Sequence, residues 1–325
     1  MKLNEAAKRG KVDIVLDALA QDPSANPQPL LEKVCQDFHS IRKGDAHFTL
    51  ARHLLDCGAR PTLALICEAA RGGHGPLVQI LCQARGQDDI FTAAALGDWQ
   101  SLQCILQTAP DQIAVVDDQD MTPLHYVCAS SLWKNDPPEG ADFVAACDLL
   151  LAAGSQVDAV GSYHGLDGIT PLFYCAWTGG HLEVAQRLLQ HGAAISPNIF
   201  YAAVGHFQRH GDGHYEIAAL LLGHGFDINY CDSRTPLHAF AAHEDARGVA
   251  WLLANGAAVE ACDDQGNTPL HLAAARNSGT KVLQLLVDAG APIQARNHAG
   301  QRPQQCALER GKQKGLAFFA ALDAR

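Results

Sequence analysis

The chain has 325 residues, of which 48% are hydrophobic, 18% charged and 6% aromatic, and 24 Lys and Arg against 35 Asp and Glu leave a formal charge of −11. That apolar fraction belongs to a folded protein and excludes wholesale disorder. The acidic balance disfavours a protein that tracks nucleic-acid phosphates and suits a basic partner. From the N-terminus, Leu3–Asp22, Leu31–Ala59, Pro61–Arg85 and Asp89–Pro110 read as helix pairs of loose pattern, with Pro23, Pro27 and Pro29 interrupting the first junction. A regular marker then sets in. Thr-Pro-Leu-His or a close variant occurs at Thr122–His125, Thr170–Phe173, Thr235–His238 and Thr268–His271, the last two 33 residues apart. Within this region Ser131–Gly140 is an insertion holding Trp133, Pro137 and Pro138, and Gly161–Gly168, with Tyr163 and His164, lengthens the turn before Thr170. Asn198–Phe226 is a pair whose first helix is expected to run through His206–His210 to Gly211, and Arg302–Leu322 closes the chain. In phase with the tetrapeptide, Leu-rich helices stop at Gly154, Gly192, Gly225, Gly256 and Gly290.

The repeated unit is readable from its chemistry. Thr268 is an N-cap residue, and Pro269 stands at the first helical position, where its missing N–H costs nothing. Leu270, Ala273 and Ala274 give a first helix with a small-residue face that permits close approach. In the second helix Val282, Leu283, Leu285, Leu286 and Ala289 supply a broad apolar face, and Gly290 ends it in a left-handed cap. One such unit cannot bury both faces of its helices, so stability must come from stacking.

The tetrapeptides, the period and the endings Gly256-Ala257-Ala258-Val259 and Gly290-Ala291-Pro292-Ile293 resemble the ankyrin-repeat family, and Asp89–Asp98 resembles the first helix of bacterial members. The resemblance covers essentially the whole chain. It implies an all-α ankyrin-repeat solenoid of about ten helix-turn-helix units, with β-hairpin-like fingers and two or three loop insertions. Residues 1–116 would be degenerate repeats, 117–300 clear ones and 301–325 a C-terminal cap, together forming a single domain.

What the resemblance implies for function is a non-catalytic scaffold that holds a partner protein in a concave groove and at its finger tips, as an inhibitor or antidote if the partner is basic. Asp117-Asp118-Gln119-Asp120 and Asp263-Asp264-Gln265 fall at finger tips. Asp117 and Asp263 are expected to order their turns, which leaves Asp118, Gln119, Asp120, Asp264 and Gln265 for a negative rim. Trp177, at the end of a first helix, suits a groove anchor or packing against Tyr163. Trp133 in its insertion suits a partner contact or a loop anchor, Tyr163 and His164 of the lengthened finger are further partner-contact candidates, and Trp99 and Trp251 read as core. By family position Arg234, Ala242, His243, Asn267, Ala275 and Arg276 line the groove.

The alternatives are thinner. His206, His210 and His214, with His164 or His47, offer a metal-binding or enzymatic reading, since His at i and i+4 share a helix face. Against it, His214 matches His74 and His181 in position, and Gly211 and Gly213 break the helix. His125, His238 and His271 are expected to hydrogen-bond neighbouring turns. No phosphate loop, dinucleotide fingerprint or zinc spacing occurs, so no cofactor and no catalytic residue is assigned. The basic cluster Arg310–Lys314 reads as a solvated cap rather than a nucleic-acid site. The 11 cysteines form no CxxC pair, no apolar run approaches the roughly 18 residues of a membrane span, and charges from Lys2 to Asp17 interrupt any signal-peptide pattern. A cytoplasmic protein with reduced thiols and no membrane contact is expected.

Overall fold

In a computed structural model the described residues are 2–323 apart from 23, 37–42, 87–88, 136, 164–165, 206–212 and 277–278, and the chain divides into two compact units, Met1–Ala194 and Ile195–Arg325. Within each unit helices follow one another as contacting pairs. The first unit holds Leu3–Lys8 with Val12–Gln21, Gln28–Cys35 with Asp45–Asp56, and Leu63–Arg71 with Gly75–Arg85. It continues with Ile90–Leu96 and Trp99–Thr108, Pro123–Ala129 and Phe143–Ala152, and Pro171–Tyr174 and Leu182–Gln190. The second unit holds Pro197–Val204 with Tyr215–Gly223, Pro236–Ala242 with Ala246–Ala254, Pro269–Arg276 with Lys281–Asp288, and Pro303–Glu309 with Gln313–Asp323. The all-α reading with about ten helix pairs therefore stands, and among the described residues no helix is long and apolar enough to cross a membrane.

The pairs are held by their neighbours. In the second unit Pro269–Arg276 packs between Pro236–Ala242 and Pro303–Glu309, and Ala246–Ala254 packs on Lys281–Asp288. Ala241, Ala273, Ala274 and Ala307 are buried, so first helices approach closely through methyl groups. A proline opens the first helix of six later pairs, at Pro123, Pro171, Pro197, Pro236, Pro269 and Pro303. Glycines at φ 84–96 close the second helices at Gly154, Gly192, Gly225, Gly256 and Gly290.

Four local features differ from or add to the sequence reading. The first helix of the Asn198 pair ends at Val204, because Gly205 turns the chain into the left-handed region at φ 103 instead of continuing toward His206–His210, which lie outside the described residues. The lengthened finger before Thr170 is a true antiparallel hairpin of β1 (Gly161–Tyr163) and β2 (Leu166–Ile169). Pro171–Tyr174 continues as a π-type turn over Cys175–Gly179 that carries Trp177. Trp99 and Trp251 are only half-buried, the latter flanked by Tyr215 and Phe200 at 5.4 and 6.2 Å between ring centroids.

Candidate partner-binding surfaces

The repeated histidines join one pair to the next. His125, His238 and His271 lie on the first turn of their helices. In each, Nδ1 accepts the backbone N–H of the preceding threonine, at 3.0, 3.3 and 3.1 Å. Nε2 faces a carbonyl of the following finger, Ile169, Asn267 or Gln301, at 3.0, 2.9 and 3.0 Å. An acceptor at Nδ1 and a carbonyl at Nε2 define a neutral, Nε2-protonated ring. Burial lowers the pKa of all three, opposed by the backbone carbonyls they contact. A related contact lies near the N-terminus, on the second helix Asp45–Asp56 and running back to the preceding pair: His47 Nδ1 accepts from the Gly44 N–H at 3.3 Å, and Nε2 lies 3.2 Å from the Lys8 carbonyl. Both His47 ring nitrogens thus face backbone groups. Gln305 takes over the cap in the last pair, accepting the Arg302 N–H at 2.8 Å.

In the first unit a finger and the hairpin frame a cavity. Asp117 orders the finger turn by accepting from the Gln119 and Met121 N–H groups at 2.8 and 2.9 Å and from the Tyr126 hydroxyl at 2.6 Å. Asp118 and Asp120 remain exposed, while Gln119 is half-buried. The Gln119 carbonyl accepts from the Ser162 N–H of β1 at 2.8 Å, which ties the hairpin to the finger. Tyr163 of β1 then reaches across: its hydroxyl donates to Glu68 at 2.5 Å, and the Arg71 guanidinium lies over its ring at 3.9 Å and bonds its hydroxyl. Arg71 is paired with Glu68 at 2.6 Å with only 8% of its side chain exposed. Burial works against the Arg71 charge, but the adjacent Glu68 outweighs it and the pKa is raised. These groups, with Asp117, Asp118, Gln119 and Tyr174, line a cavity of about 280 Å³. On its wall the Cys67 thiol is pushed up to about 12 by burial, which disfavours its thiolate form.

Trp177 belongs to the aromatic cluster beside this cavity, 5.7 Å from Tyr163 and Phe173 and 6.2 Å from Tyr174 in a stacked arrangement. It is half-buried, so part of the side chain meets solvent. Trp133 pins its insertion: Nε1–H donates to the Gly179 carbonyl at 2.9 Å, and the ring lies 4.5 Å from His181. His164 lies outside the described residues.

In the second unit Asp263 repeats the role of Asp117, accepting from the Gln265 and Asn267 N–H groups at 2.9 and 2.8 Å and from the Asn267 side chain at 3.2 Å. Burial pushes the Asp263 carboxyl up, but those donors prevail and hold its pKa below the usual carboxylate value. Asn267 is only 6% exposed, and its side-chain oxygen accepts from Asn297 at 2.8 Å, so its polar groups serve the fingers themselves. Arg234, Gln265, Ala275 and Arg276 do come together, on a groove of about 530 Å³ that also touches Asn267 and the last helix pair. Asp264 and His243 are exposed outside it, and Ala242 is buried at 9% exposure.

His74, His181 and His214 each precede the second helix of their pair, as their shared sequence position implies. Among the described residues no group of three or more His, Cys, Asp or Glu could hold a metal ion; His206 and His210 are not among them. All 11 cysteines are free thiols, and Cys57, Cys104, Cys231 and Cys262 are exposed rather than packed among apolar neighbours.

A family model for three copies of the ankyrin repeat matches residues 199–297, and a single ankyrin-repeat model matches 167–200. Among solved structures, the human ASB11 ankyrin repeat domain is similar at 26% identity and a TM-score of 0.53, over 71% of this chain and 97% of that one. The ankyrin repeat domain of Bcl-3, described as a unique member of the IkappaB protein family, shares the fold at 22% identity and a TM-score of 0.52, over 68% and 94%. A comparison with curated proteins gives no match.

Proposed function

The chain is an ankyrin-repeat protein, and from that premise we propose that it is a non-catalytic scaffold whose finger tips in the first unit receive a basic partner. Ankyrin repeats are in general protein–protein interaction modules. The observation that carries the finer reading is the division of labour within the fingers. Asp117 and Asp263 satisfy the turns, so the exposed Asp118, Asp120 and Asp264 have no structural duty of that kind. Asp120 even occupies a left-handed position, φ 58, that the corresponding fingers fill with Gly266 and Gly300 at φ 72 and 74. A carboxylate is kept there at a conformational cost that glycine would avoid. Exposed like charges at protruding tips speed encounter with an oppositely charged protein and reject wrong ones. An inhibitor or antidote of a basic protein would use such a surface, with the half-buried Trp177 and Tyr163 as anchors beside it. Eleven free thiols suit a reducing compartment, in keeping with a cytoplasmic site of action.

The test is affinity capture from the native host's lysate, comparing wild type with Asp118→Lys plus Asp120→Lys. A basic protein enriched by wild type and lost by the folded variant is the expected result. Equal capture by both would remove these finger tips from the interface, and an acidic captured protein would refute the charge argument.

A further inference from the structure

The second unit carries a local charge opposite to that of the whole chain. Its groove of about 530 Å³ is lined by Arg234, Arg276, Arg310 and Lys312 against one carboxylate, Glu309. Arg234 is partly compensated by Asp263, 3.5 Å from its Nε, and Glu309 accepts a hydrogen bond from the Gln301 side chain. Even with both acids counted, two positive charges remain in excess, on a protein of net charge −11. Among the described residues no carboxylate lies within ion-pair distance of Arg276, Arg310 or Lys312, and both arginines are exposed. Arg276 comes from one first helix, Arg310 from the end of the next and Lys312 from the turn after it, so the fold gathers what the sequence scatters.

The floor beneath these cations is ordered. Asn267 accepts from Asn297 at 2.8 Å, the Asn297 side chain accepts from the Gln301 N–H at 2.9 Å, and His271 Nε2 lies 3.0 Å from the Gln301 carbonyl. An amide-lined floor fixed by its own hydrogen bonds loses little entropy on binding, and its polar edges suit a peptide backbone.

We propose that this groove binds an acidic peptide segment, its carboxylates paired with Arg276, Arg310 and Lys312. The proposal rests on the scaffold reading and adds to it the chemistry of what the second unit holds. Forked guanidinium groups match carboxylates in two-point contacts, and cations gathered at one groove make its local field positive although the molecule as a whole is negative. A nucleic acid would meet the same cations, but its uniform phosphate charge would be repelled by the surrounding acids along its length. A peptide places its carboxylates only where the groove is.

The probe is a dye-labelled octa-glutamate peptide added to the full-length protein, with binding read by fluorescence anisotropy. Saturable binding at about 50 mM salt, weakened at least about tenfold at about 300 mM, is expected. Arg276→Glu with Arg310→Glu should weaken it at least about tenfold while leaving the circular dichroism melt in place, because both side chains are exposed. Arg276→Lys with Arg310→Lys, which keeps the charge but loses the two-point contact, should bind more weakly than wild type and more tightly than the charge-reversed variant. Absence of saturable binding by wild type, or equal binding by the charge-reversed variant, would overturn the proposal. Tighter binding of an oligothymidylate than of octa-glutamate would also overturn it, in favour of a phosphate ligand. None of these outcomes touches capture at the first unit's finger tips, so the two readings fail separately.

Discussion

Replacing His238 measures what the histidine latch contributes. The ring is fully buried, at 0% exposure, and joins the Thr235 N–H of its own helix to the Asn267 carbonyl of the next finger. His238→Ala strands the buried Thr235 N–H and takes the inter-repeat donor from the Asn267 carbonyl, which keeps the Asp263 N–H at 2.9 Å. The stranded N–H costs about 1–3 kcal/mol and the lost bond to a carbonyl that keeps another donor about 0.5–1.5, so a loss of about 1.5–4.5 kcal/mol is expected, before any contribution from the vacated ring volume. His238→Gln separates the two halves of the effect. Gln305 already performs the cap in the last pair, accepting the Arg302 N–H at 2.8 Å, so glutamine at 238 should restore the first bond. It does not span both contacts of the ring, and the expected loss is about a third of that for alanine. The assay is equilibrium urea unfolding followed by circular dichroism. Because the second bond joins neighbouring pairs, the alanine variant should also show a broader transition as coupling between repeats weakens. A loss below about 1 kcal/mol for alanine, or equal losses for alanine and glutamine, would refute the latch as a two-ended device.

The pH dependence of stability tests the same rings together. Burial depresses the folded-state pKa of His125, His238 and His271, so the unfolded chain binds more protons: stability should be full above the unfolded value of about 6.5 and fall as pH drops toward the folded values. Three protons limit the slope from these rings to about 4 kcal/mol per pH unit, and a urea midpoint unchanged between about pH 7.5 and 5 would contradict it. Asp263, held below its usual value, adds a second loss at lower pH as it too becomes protonated. Gly179→Ala would drive a methyl group into the Cys128 carbonyl oxygen and disturb the turn whose own carbonyl holds Trp133, so a loss of at least about 2 kcal/mol is expected in a thermal melt. Asp120→Gly should raise stability by up to about 1 kcal/mol while weakening capture of a basic partner, and a destabilised variant would show that the Asp120 side chain is needed by the turn.

How much could be read in advance depended on whether a feature was local or assembled. The helix pairs were legible because Thr-Pro capping and glycine endings act within a few residues, and Pro236, Pro269, Gly256 and Gly290 occupy the positions their chemistry requires. The end of the first helix at Val204 was also locally encoded: Gly205 is the residue that stops it, but the i, i+4 spacing of His206 and His210 favoured a longer helix. The part His47 plays was harder to recognise because Gly44 replaces threonine ahead of it, and only the bond back to Lys8, 39 residues away, shows that it joins its helix to the preceding pair. The first unit's cavity needed more still, since Tyr163 lies 95 residues from Glu68 and 92 from Arg71, and no periodicity predicts that meeting.

Net charge describes the whole chain and not its separate surfaces. The total of −11 is an average over surfaces that do not share a sign, and stacking repeats sorts charge by position within the unit rather than by position in the chain. Finger tips collect Asp118, Asp120 and Asp264, while the ends of first helices collect Arg276 and Arg310. Arg310 and Lys312 look like a solvated cap when read in sequence, because their neighbours in the chain are Gly311 and Gln313. Their neighbours in the fold are Arg276 and Arg234 across the groove, which turns an ordinary basic pair into part of a cationic surface. For a repeat protein the unit of charge analysis is therefore one structural position followed through successive repeats, and in this chain opposite charges then fall on the tips and in the groove.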